Sequence, residues 1–211
     1  MPDFVVKKVI YNMPDNIDNT RVRELTLPNY PIGCDAKWLW PSILEDSLSV
    51  NLYDWLVDTG SLTARLKQYC QKFSVEILSE GNYALSDDEK TKLNLAEDLG
   101  FVREVLLKLD GTPWVFARSV MPLNMLTAPG GELDQLGNRS LGSVLFSAPD
   151  MQRSEIEIAA FDAQSKVYSL SQLFSSTPKT VLFGRRSCFL LNGKSLLVSE
   201  VFLPDASAYK E

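Results

Sequence analysis

The chain contains no histidine. That absence removes Ser-His-Asp and Cys-His nucleophile schemes and the usual zinc sites, all of which need an imidazole. Any acid–base work falls to Asp, Glu, Tyr, Lys or Arg, and neither a metal nor another cofactor is expected. Cysteine is scarce too. Cys34, Cys70 and Cys188 are odd in number and lack metal-ligand spacing, which reads as a reduced, cytoplasmic protein. No apolar run reaches about 18 residues, so no membrane span is expected. The opening "MPDFVVKKVIYNMPDN" lacks the apolar core of a secretory signal. A basic excess is also missing: Lys and Arg number 21 against 27 Asp and Glu, a formal net charge of −6. That argues against a nucleic-acid surface. Repeats, low-complexity tracts and inter-domain linkers are absent.

What remains is an ordinary globular composition, 211 residues with 45% hydrophobic and 23% charged side chains, enough for one good core. A single domain over 1–211 is expected, with 1–45 as a turn-rich N-terminal extension. A strand is predicted in it at 4–11, and Trp38 and Trp40 are expected to pack on the body. Residues 48–70 show two apolar stripes, Leu52, Trp55 and Leu56, then Leu62 and Leu66. Gly60-Ser61 between them fits a helix end and a new N-cap. Residues 73–79 alternate as a strand, and "SDDEK" at 86–90 carries a Ser-x-x-Glu capping box opening a short surface helix.

The clearest signals are two hairpins. "VREVLLKLDGTPWVFARSVMPL" alternates on both sides of Asp110-Gly111, and "RRSCFLLNGKSLLVSEVFLP" on both sides of Asn192-Gly193. These dipeptides supply the positive φ values of tight turns. An antiparallel sheet of at least four strands follows, extended by 73–79 and by 153–160. One or two short helices are predicted within 132–146. The class is α+β, an antiparallel sheet with helices packed on it.

Two charges sit on the wrong face. Alternation puts Phe101, Arg103, Val105, Leu107 and Leu109 together, and Leu196, Val198, Glu200 and Phe202 together. Arg103 and Glu200 are each a lone charge in an apolar row. One explanation is a buried ion pair between them, since an unpaired buried arginine costs several kcal/mol. The other is a small, polar-ended ligand: arginine forks onto a carboxylate and glutamate meets a hydroxyl or moves a proton. Arg185 and Arg186 fall on opposite faces, and Arg118 is in line with Trp114, Phe116 and Val120. Salt bridges suit these three better than a ligand. "APGGEL" lacks the spacing of a phosphate loop, and Cys188 alternates into a strand as a core residue.

Taken in order, "DTGSLTARL", "VREVLLKLDGTPWVFARSVMP", "LGNRSLGSVLF", "FGRRS" and "GKSLLVSEVFLP" resemble the chorismate pyruvate-lyase family over roughly residues 50–204. The resemblance implies an antiparallel sheet whose ligand is enclosed under helical flaps. It implies a cofactor-independent lyase that eliminates pyruvate from chorismate to give 4-hydroxybenzoate, the first step of ubiquinone biosynthesis. By the same resemblance Arg103 and Glu200 are the catalytic pair, and with Leu62 and Leu141 they bind substrate. Chorismate and 4-hydroxybenzoate are the partners, with no nucleic acid, and the chain is expected to act as a monomer. Residues 161–181 look like an insertion relative to the family pattern. The competing expectation is a small-molecule-sensing module of the related regulator-associated fold, without catalysis.

Overall fold

A computed structural model describes residues 30–126, 136–175 and 179–210. Its layout follows from the two turn dipeptides. Asp110 and Gly111 have φ of 49° and 89°, and Asn192 and Gly193 of 51° and 73°, the paired positive values of a tight hairpin turn. The first pair joins β2 (Leu99–Leu109) to β3 (Thr112–Met121), with β1 (Phe73–Ala84) before them. Next in the chain come β4 (Gln152–Arg153) and β5 (Glu157–Phe161). The second turn joins β6 (Leu182–Leu191) to β7 (Lys194–Phe202). The strand order is β1-β2-β3-β7-β6-β4, with β5 also paired to β6. All pairings are antiparallel.

Six short α-helices accompany the sheet among the described residues: α1 (Val50–Val57), α2 (Leu62–Leu66), α3 (Asp87–Leu93), α4 (Leu123–Leu126), α5 (Leu141–Leu145) and α6 (Lys166–Ser171). The α+β expectation holds, and so does the break at Gly60. The Ser49 hydroxyl accepts from Leu52 N to start α1, and Ser61 accepts from Ala64 N to start α2. No described helix is long and apolar enough to cross a membrane.

Each sheet face carries two apolar clusters. On the first face, Trp55, Leu56, Leu62 and Leu66 pack with Leu107, Val115 and Phe202. Further along that face Met125, Leu141 and Leu145 pack with Phe101, Phe189 and Leu196. On the second face Ile32, Cys34, Val167 and Leu170 cover Leu106, Phe116 and Val201, and Leu93 joins Val102, Val120 and Leu197. The molecule is thus three-layered, with α1, α2, α4 and α5 on one side and α3, α6 and the residues from Ile32 on the other.

Several details depart from expectation. β1 runs on to Ala84, past a register shift between Ile77 and Ser79. "SEGNY" does not alternate, so its pairing is hidden in the sequence. The expected strand at 153–160 is two strands, β4 and β5. Trp114 is not in line with Phe116, because a bulge between Pro113 and Val115 turns it to the first face. The capping box is present, with Ser86 and Glu89 each serving the other's backbone N–H. Yet α3 is not a surface helix, for Glu89 and Leu93 are buried. Cys188 is only partly buried, at the edge of the second-face core.

The described part of the expected extension is built into the second face. Trp38 meets Phe161 edge-on with 5.7 Å between ring centroids, and Leu39 exchanges backbone hydrogen bonds with Ile158. Trp40, by contrast, stays exposed. Within 161–181, α6 puts Val167 and Leu170 into the core. The predicted strand at 4–11 and the start of the predicted 132–146 helical stretch lie outside the described residues; α5 fills its end.

Gly184 shows how tightly the central strands are packed. A Cβ there would stand 2.9 Å from the Glu200 carbonyl oxygen and 3.0 Å from Phe161 and Val201. Gly184→Ala is expected to cost about 1–3 kcal/mol, the range for overpacking a core. A urea midpoint equal to wild type would show that the strands can separate at no cost.

Candidate functional site

Residues directly opposite in antiparallel strands project to the same face. Register therefore defines two rows on the first face: Arg103, Ser119, Val198 and Ser187, and next to it Val105, Ala117, Glu200, Arg185 and Ile158. Arg103 and Glu200 share this face, as alternation requires. They do not pair with each other. The Arg103 guanidinium bonds to its cross-strand neighbour Glu80 and donates to the carbonyls of Gly137 and Arg139. Glu200 accepts from Arg185 Nε at 2.8 Å. The ion-pair explanation is thus right for each charge and wrong about its partner.

Arg185 does more than neutralise Glu200. Its Nη1 donates to the carbonyls of Trp55 at 3.0 Å and Asp58 at 2.7 Å, at and just beyond the end of α1. Cations are favoured at helix C-termini, where carbonyls lack intrahelical partners. The guanidinium therefore fixes the point where the chain leaves α1 and turns through Gly60 into α2. Nearby, Asp58 is bound by Arg65 at 3.0 Å and by Gly60 N at 2.8 Å. Burial favours the protonated acid, but these bonds and the Arg65 and Arg185 charges outweigh it and hold the Asp58 carboxyl below its ordinary range.

Helices α2 and α5 lie over this part of the sheet, joined by a Thr63 to Ser140 hydroxyl bond of 3.1 Å. Close approach needs the glycine at position 142, where a Cβ would lie 3.2 Å from Thr63 Oγ1. Between helices and sheet is a recess. Its apolar walls are Leu62, Leu145, Phe146, Phe189 and Val198, and its charges are Arg153, Arg185 and Glu200. Its free space is about 20 Å³, room for about one water molecule. Of the four residues singled out in the sequence, Leu62 and Glu200 line the recess. Leu141 packs in the neighbouring cluster, and Arg103 is buried two register positions along the sheet from the Glu200 row.

Two residues escaped notice in the sequence. Arg153 follows a turn and precedes the alternation of "EIEIA", so no apolar row marks it. Glu104 was findable, because it is a lone charge between Val102 and Leu106, as Arg103 is between Phe101 and Val105. It belongs to a charged row on the second face: Glu104, Arg118, Ser199, Arg186 and Glu157. Arg118 donates to Glu104 at 2.9 Å and forks onto Glu89 at 2.7 and 3.1 Å. Burial acts against the Arg118 charge, but the two carboxylates prevail and raise its pKa further. Arg186 bonds to Glu157 and Asp88, and Lys92 to Glu157 at 2.8 Å. These pairs pull α3 onto the sheet, which is why the expected surface helix is docked. The salt-bridge expectation for Arg118, Arg185 and Arg186 matches these contacts.

Comparison with known proteins decides the family. Residues 33–211 match the sequence profile described as Chorismate lyase. The chain belongs to the chorismate lyase family. Among the lyase relatives, a probable chorismate pyruvate-lyase of Shewanella amazonensis is 40% identical over 185 residues, covering 88% of this chain and 96% of its own length. Those of Shewanella frigidimarina and Pseudoalteromonas translucida are 36% and 40% identical, covering 97% and 98% of their own lengths. Among solved structures, PhnF from Mycobacterium smegmatis superposes with a TM-score of 0.51 at 15% identity, over 71% of this chain and 66% of its own. That likeness concerns the fold alone. The lyase profile begins at residue 33, so the family region reaches into the expected extension.

The Arg185 contacts make a stability prediction. Arg185→Met would leave Glu200 and two α1-end carbonyls without their donor. The expected loss is about 3–5 kcal/mol, the usual cost of removing one partner of a buried pair. A denaturant midpoint within experimental error of wild type would show that Arg185 is not the anchor of α1.

Proposed function

We propose that this chain is a lyase eliminating pyruvate from chorismate to give 4-hydroxybenzoate, the aromatic precursor in ubiquinone biosynthesis. It acts without a cofactor, in the cytoplasm, and as a monomer. The observation that carries the reading is the recess. In a member of the chorismate lyase family, Leu62 and Glu200 meet two arginines there under α2 and α5.

The reaction asks for few protein groups. The C4–H electron pair enters the ring, the C3–O ether bond breaks, and the oxygen departs as enolpyruvate. The proton lost from carbon completes pyruvate. Aromatisation drives the step, so the protein positions and polarises. Arg103 holds the ring carboxylate through a charge-assisted fork. Its bond to Glu80 is a carboxylate contact of the same kind, and Glu80, the more exposed partner, gives way to the ligand. Glu200 meets the hydroxyl end, accepting a hydrogen bond or passing the proton. Leu62 and Leu141 flank the ring and exclude water. A ring does not fit into about 20 Å³. Substrate therefore enters by parting α2 from α5, and the Thr63–Ser140 bond closes behind it.

The direct test is to incubate the purified protein with chorismate and measure 4-hydroxybenzoate and pyruvate in equal amounts. Arg103→Ala is expected to weaken both substrate and product by about 2–5 kcal/mol. Glu200→Gln, which cannot ionise, is expected to lower kcat. Full activity in that variant would limit Glu200 to positioning. A melting temperature raised by 4-hydroxybenzoate with no turnover of chorismate would favour the sensing module over the enzyme.

A further inference from the structure

Among the described residues, Arg153 is the cation on the recess wall that makes no ion pair with a carboxylate. Glu200 is engaged by Arg185 and Asp58 by Arg65. Among the described residues, Arg153 bonds only to neutral oxygens: Ser187 Oγ from Nε at 3.0 Å, and the carbonyls of Asp58, Thr59 and Gly60 from Nη1 at 3.0–3.4 Å. Its guanidinium also lies over the Phe189 ring, 5.2 Å from the centroid. A half-buried guanidinium served only by dipoles is held in place but not charge-compensated. Burial and the nearby Arg185 charge push its pKa down to about 10, against the smaller opposing pull of Glu200 and Asp58.

Its position is as informative as its charge. Arg153 is paired with Phe189 on β6, and its Nε is tied to Ser187. Ser187 belongs to the register row that begins at Arg103. Three strand spacings separate the two ends of that row, roughly 14 Å. Arg103 thus stands at one end of a row through Ser119 and Val198 and the Arg153 guanidinium is tied to its other end, with Glu200 beside the midpoint. A ligand lying along this row with one carboxylate meets one arginine; a dicarboxylate meets both. Chorismate has a second carboxylate on its enolpyruvyl group, whereas 4-hydroxybenzoate has only the ring carboxylate.

We infer that Arg153 binds the enolpyruvyl carboxylate of the substrate and so distinguishes substrate from product. This rests on the reading of the chain as a chorismate pyruvate-lyase. Arg103 serves the carboxylate common to both, and Arg153 the one that leaves with pyruvate. Once the ether bond is broken, the hold of Arg153 on the aromatic ring is gone, and pyruvate and 4-hydroxybenzoate can leave separately.

The test compares two ligands in the wild-type enzyme and in Arg153→Gln and Arg153→Lys. Arg153→Gln is expected to raise KM for chorismate by about tenfold or more, the effect of losing one charged hydrogen-bond partner. It is expected to leave the dissociation constant of 4-hydroxybenzoate within about twofold of wild type, with Arg153→Lys falling between. Equal weakening of both ligands would mark Arg153 as merely structural, and an unchanged KM would also overturn the inference. A measurement independent of mutant folding uses chorismate esterified at its enolpyruvyl carboxylate. Wild type should bind it at least about tenfold more weakly than chorismate, since the ester removes the same charged contact. An ester that binds as well as chorismate would refute the inference. Wild type inactive on chorismate would instead refute the lyase reading, and the inference with it.

Discussion

A buried guanidinium must find oxygen for its N–H groups, and this requirement organises the molecule around its sheet. Arg103, Arg118, Arg185 and Arg186 are all buried near mid-sheet. Each reaches off its own strand for acceptors, and each acceptor brings another element into place. Arg185 fixes the end of α1 and the turn into α2. Arg118 and Arg186 dock α3, and Glu104 accepts from the backbone N–H groups of Ile32 and Gly33 at 2.7 and 2.8 Å. The apolar clusters supply most of the burial energy, but apolar contact is non-directional. The arginines add direction and so specify where the short helices sit. Among the described residues, no buried side-chain nitrogen or oxygen lacks a partner, as such a device requires.

Much of this was legible in the sequence, because the informative patterns were local. Asp-Gly and Asn-Gly marked both hairpins, Ser-x-x-Glu marked α3, and strict alternation in β2 and β7 exposed Arg103 and Glu200. What escaped was non-local. Alternation assigns a charge to a face but does not say which strand lies opposite, so Arg103 and Glu200 were natural candidates for one another. In the fold each has a nearer partner, Glu80 across β1 and Arg185 across β6. The bulge at Trp114 shifted a face assignment, because one extra residue reverses the alternation that precedes it. Glu89 reads as a cap and nothing more; its second bond, to Arg118, spans 29 residues. Arg153 has no periodic row around it, and only the recess gives it a context.

The site combines rigid and adjustable parts. Its charges stand on four central or paired strands, where position is set by ladder hydrogen bonds. Its cover is two five-residue helices, each far too short to be stable alone. They are held by Leu62, Leu66, Leu141 and Leu145 and by one hydroxyl pair. Preorganised charges under a cover of two short helices match the proposed chemistry, which needs placement of a small ring and exclusion of water, but also an exit.

The strand order carries a consequence for how the site arises. β2 and β3 are joined by a two-residue turn, as are β6 and β7, and β1 precedes β2 by a connection that holds α3, so each group can pair locally and early. The seam between β3 and β7 is different. It joins Ala117 to Glu200 and closes a loop of roughly 70 residues between the strands, so its entropic cost falls on a late, long-range event. Arg103 belongs to the first group, Arg185 and Glu200 to the second, and Arg153 to β4, which pairs with β6 at its edge. The sheet wall of the recess, with Arg185, Phe189, Val198 and Glu200, lies on the β6–β7 hairpin, so the seam is what brings the Arg103 row alongside it. On the proposed reading, the two ends of the ligand row are therefore joined by the most sequence-distant pairing in the path from β2 to β6, not by either hairpin.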